Sequence, residues 1–122
     1  MDTTWLGVMR RVAGMSRNHL SWILDVTPQR LSMWESGDTA GLDPDAIDVI
    51  ETMKLDFDAA TEWLESEQLG WDDVMPFRLA SMKLGVSTGT LRSLLKRNKI
   101  DPMDFGLMGL WVSRDDVLAC RR

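Results

Sequence analysis

The chain has 122 residues, 44 % apolar and 27 % charged, with a formal net charge of −5 at pH 7, which bounds it to one ordinary globular domain or two very small ones sharing a core. No apolar run is long enough to span a bilayer, Met1-Asp2-Thr3-Thr4 lacks a signal peptide's basic start, and the lone cysteine, Cys120, can neither staple the chain nor build a zinc set, so a cytoplasmic protein away from membranes is expected. The charge is uneven: residues 1–55 hold five basic and eight acidic side chains, residues 56–74 seven acidic and no basic ones, and residues 75–122 nine basic and four acidic ones, so a basic C-terminal part is tethered to an acidic segment.

Helical periodicity dominates the first 70 residues. Trp5, Met9 and Val12 fall on one face of a first helix, which Gly14 ends. Ser16 caps a second helix that buries Leu20, Ile23 and Leu24. Thr27-Pro28 is a cap followed by Pro at the first helical position, where its missing N–H costs nothing. The third helix buries Leu31 and Trp34 and ends at Ser36-Gly37. Asp43-Pro44 repeats the start signal, with Ile47, Ile50 and Met53 as the next stripe, and Phe57, Ala60 and Leu64 suggest a fifth helix through the acidic segment. Beyond Pro76 the pattern repeats in outline: a helix near Phe77–Leu84, a turn at Gly85, and a helix capped by Ser87. The stretch Lys99–Val112, with Gly106 and Gly109, reads as a β-hairpin. Ser113 caps a last helix whose first turn holds Asp115 and Asp116, where acids suit the helix dipole. The expected fold class is mainly α, with two helix-turn-helix modules, over residues 1–68 and 74–122, the second carrying a small β-hairpin wing.

Each half holds one candidate binding constellation. In residues 16–37 the turn is Asp25-Val26-Thr27, and Gln29, Arg30 and Met33 open the following helix, where a helix-turn-helix presents side chains to base edges. Gln and Arg bond adenine and guanine edges bidentately, and Arg10, Arg11, Arg17 and Arg30 could line one face and meet phosphates. The string Ala13-Gly14-Met15-Ser16…Leu20…Leu24-Asp25-Val26-Thr27…Leu31-Ser32-Met33-Trp34-Glu35-Ser36-Gly37 resembles the XRE family of lambda- and 434-repressor-like domains over roughly residues 4–55. That resemblance implies a five-helix domain whose third helix reads the major groove. The sequence departs from the pattern in having Asp25 for the turn glycine, Arg17 for a glutamine and Ser21 for a small buried alanine.

In residues 75–117, Leu84-Gly85-Val86-Ser87 supplies turn and cap. Thr88, Thr90, Arg92, Ser93, Lys96, Arg97 and Lys99 take the polar side of the next helix and its end, opposite Leu91, Leu94 and Leu95. With the hairpin and the Ser113-Arg114-Asp115-Asp116-Val117 start that follow, this order resembles the MerR/excisionase-like winged helix-turn-helix family. The resemblance implies a major-groove helix after Ser87 and a wing on the backbone or minor groove. The wing tip Phe105–Leu110 is uncharged, which favours core packing or a protein contact over DNA.

No catalytic, cofactor or metal site is legible. His19 is the sole histidine, the Asp72-Asp73 and Asp115-Asp116 pairs diverge on a helix, and Cys120 has no histidine near it in sequence. Of six tryptophans, Trp5, Trp34 and Trp111 fall at core positions and Trp22 at a helix rim. Trp63 and Trp71 flank the acidic segment, as interface anchors or as filling between the halves. The expectation is a sequence-specific regulator of double-stranded DNA, a repressor of a phage, plasmid or toxin–antitoxin type operon. It would be a homodimer paired through Phe57, Ala60, Trp63 and Leu64. The alternative is an interaction module or antitoxin in which one helix-turn-helix holds a protein partner.

Overall fold

The computed structural model describes residues 2–120. Three short helices, α1 (Trp5–Val12), α2 (Arg17–Leu24) and α3 (Pro28–Glu35), precede the long α4 (Pro44–Ser66). A 3-10 turn at Trp71–Asp73 leads into β1 (Val74–Pro76), α5 (Phe77–Leu84) and α6 (Thr88–Arg97). The chain closes with β2 (Met103–Asp104), a 3-10 turn at Gly106–Met108, β3 (Leu110–Ser113) and α7 (Arg114–Cys120). The expected mainly helical fold with a small hairpin is present, and no described helix is long and apolar enough to cross a membrane.

The caps act where the sequence places them. The His19, Arg30, Ala46 and Thr90 N–H groups donate to Ser16 Oγ, Thr27 Oγ1, Asp43 Oδ1 and Ser87 Oγ. Each satisfies a helix-start donor that has no partner inside the helix. At the start of α7 the Asp116 N–H donates to Ser113 Oγ.

Three features differ from the sequence reading. The fourth and fifth helices are one, because nothing between Asp45 and Leu69 is Gly or Pro and the Ile50/Met53 stripe runs straight into Ala60 and Leu64. The first helix buries Leu6 and Met9 with the following Ala13, while Val12 is exposed. The hairpin gains a third strand, since β1 pairs antiparallel with β3 (Val74 with Ser113, Pro76 with Trp111), giving the order β1-β3-β2. A three-residue strand ending in Pro offers little pattern to detect, and as an edge strand it needs no N–H from that Pro.

The core has two parts. One joins α1–α4 to Trp71, Val74, Phe105, Met108 and Trp111, so the C-terminal hairpin completes the N-terminal core. The other gathers Phe77, Ala80, Leu91, Leu95, Val112 and Val117 around α5–α7. This arrangement corrects the expected dimer stripe: Ala60 and Leu64 are 3 % and 1 % exposed, and Phe57 stacks on Trp71 of the same chain at 5.3 Å.

Candidate nucleic-acid interface

Two helix-turn-helix turns are built alike. Asp25 ends α2 and Gly85 ends α5, both left-handed at φ 56° and 67°. The Val26 and Val86 N–H groups reach back to the Ser21 and Ser81 carbonyls at 3.0 Å, and a hydroxyl residue then caps the next helix. Both serines are buried and donate within their own helices, to Asn18 O at 2.8 Å and Arg78 O at 2.7 Å. Ser21 thus fills a small-residue position without leaving an unpaired hydroxyl. Each turn lets a second helix cross the first with its start exposed.

All eleven residues expected at the interface are exposed: Arg17, Gln29, Arg30 and Met33 in the N-terminal unit, and Thr88, Thr90, Arg92, Ser93, Lys96, Arg97 and Lys99 in the C-terminal one. They differ in how they are engaged. Arg10 makes a bidentate bond to Glu35 (3.1 and 3.0 Å), and Arg17 approaches the same carboxylate at 3.5 Å. Burial pushes the Glu35 carboxyl up, but Arg10 and then Arg17 outweigh it and hold it below its ordinary range. Arg30 donates to Gly41 O at 2.6 Å and lies over the Trp34 ring. Lys54 pairs with Asp58. Four of the five cations in the first 55 residues are therefore bound within the chain, Arg10 behind a 13 % exposed side chain rather than on a phosphate-facing surface.

Arg92 and Lys96 lie one turn apart on α6, and with Lys99, which follows the helix end, they share a groove of about 460 Å³ with Phe77, Ile100 and Asp101. Arg97 lies on the other flank, in a groove with Lys83. Among the described residues none of these cations has a carboxylate within 4.0 Å or donates a hydrogen bond; Arg92 only lies over the Phe77 ring at 5.3 Å.

The wing is turned inward. Phe105 and Met108 are buried in the N-terminal core, Trp111 donates to Met108 O, and the Leu107 N–H donates to Asp56 of α4 at 2.8 Å. Of the two roles open to an uncharged tip, core packing is the one observed. A wing lying on backbone or minor groove would have to do so without Phe105 and Met108, which pack into the N-terminal core, while Leu107 stays exposed.

Sequence reasoning missed Arg78, on the outer side of α5 with its guanidinium 5.6 Å from the Trp22 ring centroid. No local pattern marks it, because its partner comes from the other half of the chain. His19 stands edge-on to the same indole, and burial first, then the Arg78 charge, push its imidazole below the ordinary range. No protein-family model, curated protein or solved structure matches the chain.

Proposed function

We propose that the chain is a DNA-binding regulator whose affinity for duplex DNA is carried by α6. The observation behind this reading is the contrast between the halves: the cations of α6 are exposed and without carboxylate partners, whereas those of the N-terminal unit are mostly bound internally. Unpaired cations on an exposed helix release counterions when they meet phosphates, and this term dominates non-specific affinity. The small Thr88, Gly89 and Thr90 at the start of α6 let its backbone approach the groove, with Arg92 to read a base edge and Lys96 to meet phosphate.

The test is a salt titration of the full chain on a duplex selected from a random pool and on a scrambled control. Affinity should fall steeply with salt. Lys96→Ala should weaken both duplexes alike and reduce the salt slope by about one. Arg92→Ala should cost about 1–3 kcal/mol on the selected duplex and narrow its preference over the scrambled one. Salt-independent binding, or two silent variants, would sink the proposal.

A second reading applies to the N-terminal unit, which is net acidic and exposes Met33 and Gln29 on α3 while Arg30 is held by Gly41 and Trp34. That surface suits a protein partner. Arg30→Ala should then leave duplex affinity unchanged, and a loss of sequence preference in that variant would return α3 to base reading.

A further inference from the structure

Trp22 is an anomaly of burial. The residue is 67 % exposed, against 42 % for Trp63, while Trp34, Trp71 and Trp111 are buried. It lines a cleft of about 610 Å³ where α2 meets α5, the start of α6 and the wing. Two guanidiniums enter the same cleft, each against an aromatic ring: Arg78 at Trp22 and Arg92 at Phe77. Neither has a carboxylate within 4.0 Å or donates a hydrogen bond among the described residues. The other titratable groups of the cleft are His19 on α2, whose lowered pKa keeps it neutral near pH 7, and Asp25 in the turn, which offsets one of the two positive charges. Phe77 and Arg92 also line the neighbouring groove, where Lys96 and Lys99 extend the positive charge and Asp101 opposes it. The two grooves thus form one cationic track that starts at the exposed Trp22, whose ring Arg78 and His19 partly flank, and runs past Arg92 over the buried Phe77 ring.

A positive groove with an exposed aromatic platform is the chemistry that holds unpaired nucleotides, since every base has a face to stack and every link carries a charge. A duplex cannot offer its base faces in this way. We infer that the cleft between the two helix-turn-helix units binds an unpaired nucleotide, its base on Trp22 and its phosphate on Arg78 and Arg92, with the next phosphates of a strand reaching Lys96 and Lys99. This goes beyond the duplex reading and stands on Trp22 and Arg78, which that reading does not use.

The experiment measures binding of the full chain to a short labelled oligodeoxythymidylate, to a labelled blunt duplex, and competition by thymidine monophosphate and by inorganic phosphate. The single strand should bind. Trp22→Ala should weaken it roughly 5- to 100-fold, the range of one lost base stack, and Arg78→Ala should weaken it and reduce its salt slope by about one, both while changing duplex affinity less than about twofold. Because Trp22 and Arg78 are exposed, both variants should keep the native circular dichroism spectrum. Competition by the mononucleotide supports the inference; its failure to compete would place recognition in a chain of phosphates and overturn it. Strand binding that survives both substitutions, or that inorganic phosphate abolishes as well as the nucleotide does, overturns the inference. Duplex binding without strand binding overturns it and leaves the α6 proposal standing. Strand binding without duplex binding does the reverse, and binding to neither removes both.

Discussion

Asp25 and Gly85 occupy the same place in two like turns, yet only glycine is at ease with positive φ. Asp25→Gly should therefore stabilise the chain by about 0.5–1 kcal/mol, and Gly85→Ala should destabilise it by about 1–2 kcal/mol, both read from urea unfolding midpoints at constant slope. A destabilised Asp25→Gly variant, or a silent Gly85→Ala, would remove the left-handed backbone from the account. Glu35 tests electrostatics at the same scale. Its folded pKa lies below its ordinary value, so its ion pair contributes stability that is present above the unfolded pKa and lost as pH falls through the folded one. Glu35→Gln should cost about 1.5–3 kcal/mol at neutral pH by leaving Arg10 without its charge partner, and the gap to wild type should close in acid. A gap constant between pH 7 and pH 3 would remove the carboxylate from the account. At this scale much was legible: Ser16, Thr27, Asp43 and Ser87 announce themselves as caps through local chemistry alone. The Arg10–Glu35 bond was not, because 25 residues separate its ends and no period links them. For the same reason Arg10 looked like a phosphate contact.

Among the elements, the wing is the one whose role changed between sequence and structure. Its place was readable from Gly106 and Gly109, and the lack of charge at its tip hinted that it does not face DNA. What it covers could not be read, since the covering surface belongs to α4, some fifty residues earlier, and α4 itself seemed to be two helices. The latch between them is specific. Gly106 holds φ +63°, and a Cβ there would collide with the Asp56 carboxylate that accepts the Leu107 N–H. Gly106→Ala should cost about 1–3 kcal/mol, from backbone strain together with that collision. Asp56→Ala should cost about 1 kcal/mol for the lost hydrogen bond. Because removing Asp56 also removes the obstacle, the double variant should be more stable than the sum of the two costs implies, a coupling of about 0.5 kcal/mol or more. Strict additivity would show that the wing tip does not sit on Asp56 in solution.

For the whole molecule, the sequence pointed to two modules divided near residue 70. The packing ties the modules together. Met108, Phe105 and Trp111 of the C-terminal hairpin lie in one cluster with Leu20, Leu31, Ile50 and Leu64, and Trp71 stacks on Phe57 and meets Phe105 edge-on. The strand β3 serves both clusters, Trp111 facing one and Val112 the other, as the alternation of a strand requires. The N-terminal core loses Phe105, Met108 and Trp111 if the C-terminal half unfolds, and those side chains lose their cover if the N-terminal half does, so the chain should unfold as one cooperative unit. Urea transitions followed by tryptophan fluorescence, weighted to the N-terminal cluster that holds Trp34, Trp71 and Trp111, should coincide with those followed by far-UV circular dichroism, which reports all seven helices described here. Met108→Ala makes the sharper test. Its side chain is 2 % exposed and belongs to the C-terminal hairpin, yet it fills the N-terminal core. Truncation should cost about 2–5 kcal/mol and shift both transitions together. If the variant instead splits the curves, with fluorescence lost first while much of the helical signal survives, then α5–α7 fold without the rest, and the two units are independent bodies joined at a soft contact.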